Sequence, residues 1–332
     1  MAASLQAAGR PAPQHAAEAG KLLNSSSISH TALPSENYPG TEALNRPTTP
    51  PFLFNLEVDP AQMQFINAVE FEFPSSVSSP WPENNRVSGK LWRAGSDWAH
   101  RPSVILLHGW NSEFQYRWQF PRLAARLARA GVNTAMFELP YHGRRRPRAP
   151  DAIQDFISYD LPQMLEAVRQ SLVDTQALAN WLSLQGSPSI GLWGISLGAW
   201  LAGLLICTPE GKARVKPGFA VLLTPIARVD QAIEDLAFCA SIRHSLRLAS
   251  SVRLEPLNLA SHAPTIPREN TLIVASQHDL FAPLSSVEDL WRAWGKPEIW
   301  RVPQGHISVL LSRRTMTSIV DWIAHKTAGG TR

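Results

Sequence analysis

The pentapeptide Gly194-Ile195-Ser196-Leu197-Gly198 narrows the folding possibilities more than any other stretch of the chain. It closes the apolar run Ser189 to Trp193 and opens a segment that reads as helix through Leu205, so the serine stands at a strand-to-helix turn. Such a turn is tight. Side chains on either side of the serine would meet neighbouring backbone, and glycine there lets the hydroxyl project above a sheet.

The rest of the chain obeys the same grammar. Short β-branched runs at Val104–Leu107, Asn133–Phe137, Ser189–Trp193, Phe219–Leu223, Thr271–Ala275 and Glu298–Val302 alternate with helical patterns. That alternation predicts a mostly parallel central sheet with helices on both faces. Ahead of it, Ala68–Phe73 and Val87–Trp92 alternate as an antiparallel hairpin. Phe120, Leu123, Ala124, Leu127 and Ala130 recur at helical spacing while Arg122, Arg126 and Arg129 face away, and Gly131 supplies a stop. A second helix is expected over Leu161–Leu184, with Asp160 as N-cap and Gly186 beyond its end.

Two segments fall outside this pattern. Residues 1–50, rich in Ala, Ser, Pro and Thr, are expected to form a flexible tail, because they bury too little apolar surface to offset the entropy of ordering. Residues 51–330 then form one catalytic domain. Between Leu223 and Thr271, residues 224–270 exceed what a single crossover needs, and a helix near Gln231–Ser250 is expected as a small cap insertion.

Composition excludes several classes. The formal charge of +4 is too mild to announce nucleic acid, although residues 86–148 alone carry +9 and the remainder −5. No nucleic-acid signature accompanies that window. Cys207 and Cys239 have neither disulfide nor zinc-ligand spacing, so buried reduced thiols are expected, with no metal. No apolar run reaches the ~18 residues of a membrane helix, and no leader pattern opens the chain, so the cytoplasm is the expected location. Oligomeric state is not legible.

A serine hydroxyl becomes a nucleophile only when a base takes its proton, so a carboxylate and a histidine should follow it in chain order. Asp279 lies just after the Thr271–Ala275 strand, and His306 directly after Glu298–Val302, both at the carboxyl end of the sheet. His278 and His262 lie outside the last strand-to-helix loop and are read as solvated or structural. Acyl transfer also needs N–H donors aimed at the developing oxyanion. The amide after the nucleophile, Leu197, and that of Trp110, in His108-Gly109-Trp110-Asn111 after the first parallel strand, are the expected pair. Arg144, with Arg145, Arg146 and Arg148, lies where it would hold an anionic substrate group or be merely solvated, and Trp200, with Trp110 and Trp193, is either a wall of an apolar acyl pocket or core.

In series, the HGW, PYHG, GISLG and GHIS motifs and the His278-Asp279 loop resemble the α/β-hydrolase superfamily over roughly residues 65–326, and within it the poorly characterised "alpha/beta hydrolase domain-containing" branch. That resemblance implies an α/β-hydrolase fold and a triad of Ser196, Asp279 and His306. It also implies oxyanion donors at Trp110 and Leu197, and a small-molecule ester-like substrate with no cofactor. Carboxylesterase is the leading reading, while thioesterase, amidase and acyltransferase share all these residues. A catalytically silent protein of the same fold, binding a ligand or partner, is the alternative from another class.

Overall fold

The computed structural model describes residues 55–111, 113–150, 152–209, 211–248 and 254–328. The expected tail therefore lies outside the described residues.

A nine-stranded sheet organises the chain. In chain order its strands are β1 (Gln64–Phe65), β2 (Glu70–Pro74), β3 (Arg86–Trp92), β4 (Ser103–Leu107), β5 (Asn133–Phe137), β6 (Ile190–Ile195), β7 (Phe219–Leu223), β8 (Thr271–Ser276) and β9 (Glu298–Val302). Across the sheet the order is β1-β2-β3-β5-β4-β6-β7-β8-β9. β1 to β3 pair antiparallel, β3 joins β5 antiparallel, and every pairing from β5 onward is parallel. The six parallel strands and the hairpin stand where the sequence puts them. β1 is an addition two residues long, too short to leave an alternation pattern.

Helices cover both faces: α1 (Phe120–Arg129), α2 (Leu161–Leu184), α3 (Leu197–Ile206), α4 (Val229–Asp235), α5 (Ala240–Leu248), α6 (Leu284–Ala293), α7 (Ser308–Leu311) and α8 (Arg313–Ala328). Strand alternation sorts the apolar side chains into two cores. Ile105, Leu107, Phe137, Leu192 and Leu222 face α2 and α3, while Val104, Leu106, Trp193, Val221 and Val274 face α1 and α8. α2 begins on the expected cap, where Asp160 accepts from the Gln163 N–H at 3.0 Å.

The segment between β7 and β8 differs from the single helix expected over Gln231–Ser250. It breaks at Leu236, whose backbone is extended (φ −83°, ψ 124°), into α4 and α5. Arg243 Nη1 donates to the Ile233 and Glu234 carbonyls that the break leaves without helical partners, and to Leu236 O, which also accepts from Cys239 N–H. The break presents Phe238 to the loop after β4 instead of carrying it along a helix face.

Candidate active site

Parallel strands deliver their loops to one edge of the sheet, where open α/β folds gather their chemistry. Trp110 follows β4, Ser196 follows β6, Asp279 follows β8 and His306 follows β9. Backbone strain marks the same edge. Asn111 (φ 50°), Tyr141 (φ 60°), Ser196 (φ 53°) and Thr224 (φ 48°) lie in the first few positions after β4, β5, β6 and β7. Among the described residues, Lys296 alone shares that non-glycine conformation elsewhere.

The turn at Ser196 explains its glycines. A Cβ on Gly194 would overlap the Gly198 backbone, and one on Gly198 would overlap the carbonyls of Leu107 and His108. The glycines thus let α3 press against β4, and Ser196 N–H is held by Leu223 O at 2.9 Å. The serine is fixed before any ligand arrives.

From the hydroxyl a continuous polar chain runs inward. Ser196 Oγ lies 2.8 Å from His306 Nε2, and His306 Nδ1 lies 2.8 Å and 3.0 Å from the two oxygens of Asp279. Asp279 also accepts from the N–H groups of Phe281 and Ala282, both at 2.8 Å, and its carboxylate is closed to solvent. An ionised carboxylate only accepts, so Nδ1 must carry the proton facing it. That leaves the Nε2 lone pair for the serine O–H, the tautomer a general base requires.

Trp110 N–H and Leu197 N–H make no hydrogen bond among the described residues. Leu197 is the first residue of α3, where amides have no helical acceptor. The loop carrying Trp110 is braced from behind. Gly109 N–H donates to Gln115 Oε1 at 2.8 Å, and the buried His108 receives Leu139 N–H on Nε2 at 3.0 Å while its Nδ1 sits 2.8 Å from Gly109 O.

His142 lies edge-on to His108, ring centres 4.8 Å apart, and its Nε2 faces Asn111 N–H at 3.4 Å. Burial drives the His108 pKa down to about 4 and that of His142 well below its usual value. A folded pKa below the unfolded one means the unfolded chain binds protons first as pH falls. For His108 alone, about 3 kcal/mol of stability present near neutrality disappears between pH 6.5 and pH 4. The buried carboxyls of Asp174 and Glu138, pushed up by desolvation, act in the opposite direction. The direct measurement is therefore NMR of the His108 ring, whose carbon shifts should stay fixed from pH 7 to pH 5 in the folded protein. A midpoint near 6.5 would contradict the buried neutral pair.

An aromatic row, which sequence patterning did not reveal, lines the approach. Trp110 stacks on Phe238 (5.0 Å between centres), Phe238 meets Phe281 (6.3 Å), and Phe281 lies 5.0 Å from His306. Two other expectations land elsewhere. Trp200 is buried and its indole N–H donates to Leu257 O at 2.7 Å, which ties the β7–β8 insertion to α3 rather than opening onto a cleft. Arg144 is turned to the antiparallel side, between Glu70 (3.6 Å) and Glu72 (3.8 Å), on an open groove of about 450 Å³ with Lys90, Tyr116 and Glu138. Those carboxylates answer its charge, which weakens it as an anion clamp. Trp193 is core.

A parallel sheet bearing a serine on a strained strand-to-helix turn, with loops converging on its carboxyl edge, is the architecture of α/β-hydrolases. The chain belongs to the alpha/beta hydrolase family, which matches residues 104–326. An uncharacterized protein of Mycobacterium tuberculosis is 32% identical over 190 residues, 55% of this chain and 44% of that protein. The match thus spans under half the length of that relative. Among solved structures, acetyl xylan esterase 1 from a Thermoanaerobacterium species is similar at TM-score 0.59 and 16% identity, covering 86% of this chain and 92% of that one. An esterase from Pyrococcus furiosus gives TM-score 0.53 and 16% identity over 89% and 97%. At such identities the likeness concerns the fold. No helix among the described residues is long and apolar enough to cross a membrane.

Proposed function

We propose that the protein is a serine esterase acting on a small ester-like substrate through an acyl-enzyme. Ser196 Oγ attacks the carbonyl carbon as its proton passes to His306 Nε2, and Asp279 holds the ring and stabilises the imidazolium. The Trp110 and Leu197 amides donate to the oxyanion. Collapse of the tetrahedral adduct expels the alcohol, which takes its proton from Nε2. Water, deprotonated by the same nitrogen, then frees the acid and returns the serine. The β7–β8 insertion roofs the acyl side, with Phe238 and Phe281 as its apolar wall.

The observation that carries this reading is the unbroken relay of 2.8 Å contacts from Ser196 through His306 to Asp279. The esterase names of the two structural neighbours agree with it. Intact-mass analysis after treatment with a fluorophosphonate provides the test. One adduct per chain is expected, located on Ser196 and absent from Ser196→Ala. Failure of the folded protein to react would remove the esterase reading and leave a binding protein of the same fold.

A further inference from the structure

The helical turn Gln115–Gln119, which is one residue wider than an α-turn, has two opposed sides. Its inward side is structural: Gln115 holds the Gly109 amide of the oxyanion loop, and Gln119 Nε2 donates to Leu310 O in α7 at 2.7 Å. Its outward side presents Phe114, 52% exposed, and Trp118, 58% exposed, beside the exposed ion pair of Arg117 and Glu113. On the adjoining turn, Ile307, next to His306, is 59% exposed, and Leu311 is 68% exposed. Four large apolar side chains therefore stand in solvent around the mouth of the proposed active site, more than scattered surface exposure accounts for.

Apart from Glu113, which pairs with Arg117 on the turn itself at 3.8 Å, the charge flanking this rim is positive. Arg122 at the start of α1 and Arg313 and Arg314 at the start of α8 have no carboxylate partner among the described residues, nor do Arg126 and Arg129 further along α1, away from the site. By contrast Arg86, Lys90, Arg101, Arg117, Arg144, Arg145, Arg146 and Arg148 of the basic window all meet acids. Arg122 also lies 5.9 Å from the centre of the Trp118 ring. Aromatic tips that enter the headgroup boundary, flanked by arginines whose stems reach back to phosphates, suit an anionic lipid surface. A second copy docked on the same face would set these arginines against one another.

We propose that this face docks the protein on anionic lipid membranes, with the mouth of the site against the lipid. The docking stands on the surface alone. Its corollary, that the ester is taken from the lipid layer, rests on the esterase reading.

The test is co-sedimentation of the full chain with phosphatidylcholine vesicles holding 30% phosphatidylglycerol, against phosphatidylcholine alone. Partition at least tenfold higher on the anionic vesicles is expected, weakening with salt. Each arginine near such a surface contributes about fivefold, so Arg122→Gln/Arg313→Gln/Arg314→Gln should lower partition ~100-fold. Phe114→Ser/Trp118→Ser should lower it at unchanged charge. All these side chains are exposed, and turnover of a water-soluble ester should be retained in both variants.

Equal binding to neutral vesicles, or variants that bind as the wild type does, would overturn the proposal. So would a concentration-dependent dimer abolished by the same substitutions, or Trp118→Cys that resists maleimide in the free chain because its own residues cover the patch. Vesicle binding without fluorophosphonate reaction removes the esterase reading and leaves the docking; the reverse result does the opposite.

Discussion

Ser196→Ala should lower ester turnover by about a million-fold, and Ser196→Ala/His306→Ala should be hardly slower than either single variant. The two groups share one proton: without the hydroxyl the Nε2 lone pair has nothing to deprotonate, and without the imidazole the hydroxyl stays a weak nucleophile. Their effects therefore do not add. Removing Asp279 should cost less, because serine and imidazole keep their contact, although the Phe281 and Ala282 amides lose their acceptor. Single-turnover kinetics on an activated ester measures all three. Losses that multiply in the double variant would mean that Ser196 and His306 act separately.

The second large effect concerns stability. Arg145 and Asp174 are both fully buried, 2.9 Å apart between Nη2 and Oδ2 in an ion pair rather than a well-directed hydrogen bond. Arg145 also donates to the Asn84 and Glu138 carbonyls, and the other Asp174 oxygen accepts from Ser75 at 2.6 Å. Desolvation pushes the Asp174 carboxyl up and the Arg145 guanidinium down, so each depends on the other to stay charged. Arg145→Met strands a carboxylate in the core and should cost about 3–5 kcal/mol in urea unfolding. Arg145→Met/Asp174→Leu, which removes both charges, should recover much of that loss. A double variant as unstable as Arg145→Met would show that the carbonyl contacts, not the ion pair, dominate.

Arg145 also marks a boundary of what sequence can reveal. Within Arg144-Arg145-Arg146 nothing local separates the three, yet one is core, one is balanced by the carboxylates of β2, and Arg146 faces Asp155. What separates them is pairing with residues far away along the chain. The turn at Ser196, its strand and helix, and the loops holding Asp279 and His306 were legible because each is written in a few consecutive residues. The Trp110–Phe238 stack and the break at Leu236 were not, because they depend on how the β7–β8 insertion meets the β4 loop. His108 reads in the sequence only as a member of the expected oxyanion loop, with no role of its own. Its bracing role emerges only when the β5 loop packs against it.

The sheet order has one more implication. Ser196 is carried by β6, which has three strands beyond it on one side and five on the other, whereas His306 is carried by β9, the outermost strand, with partly exposed residues throughout. Amide protection should therefore be deepest under the hydroxyl and shallowest under the imidazole. Fraying of this rim during gentle heating parts the two while the middle of the molecule is still intact, and cooling reunites them. Thermal inactivation then begins as a reversible event at the margin, ahead of cooperative melting.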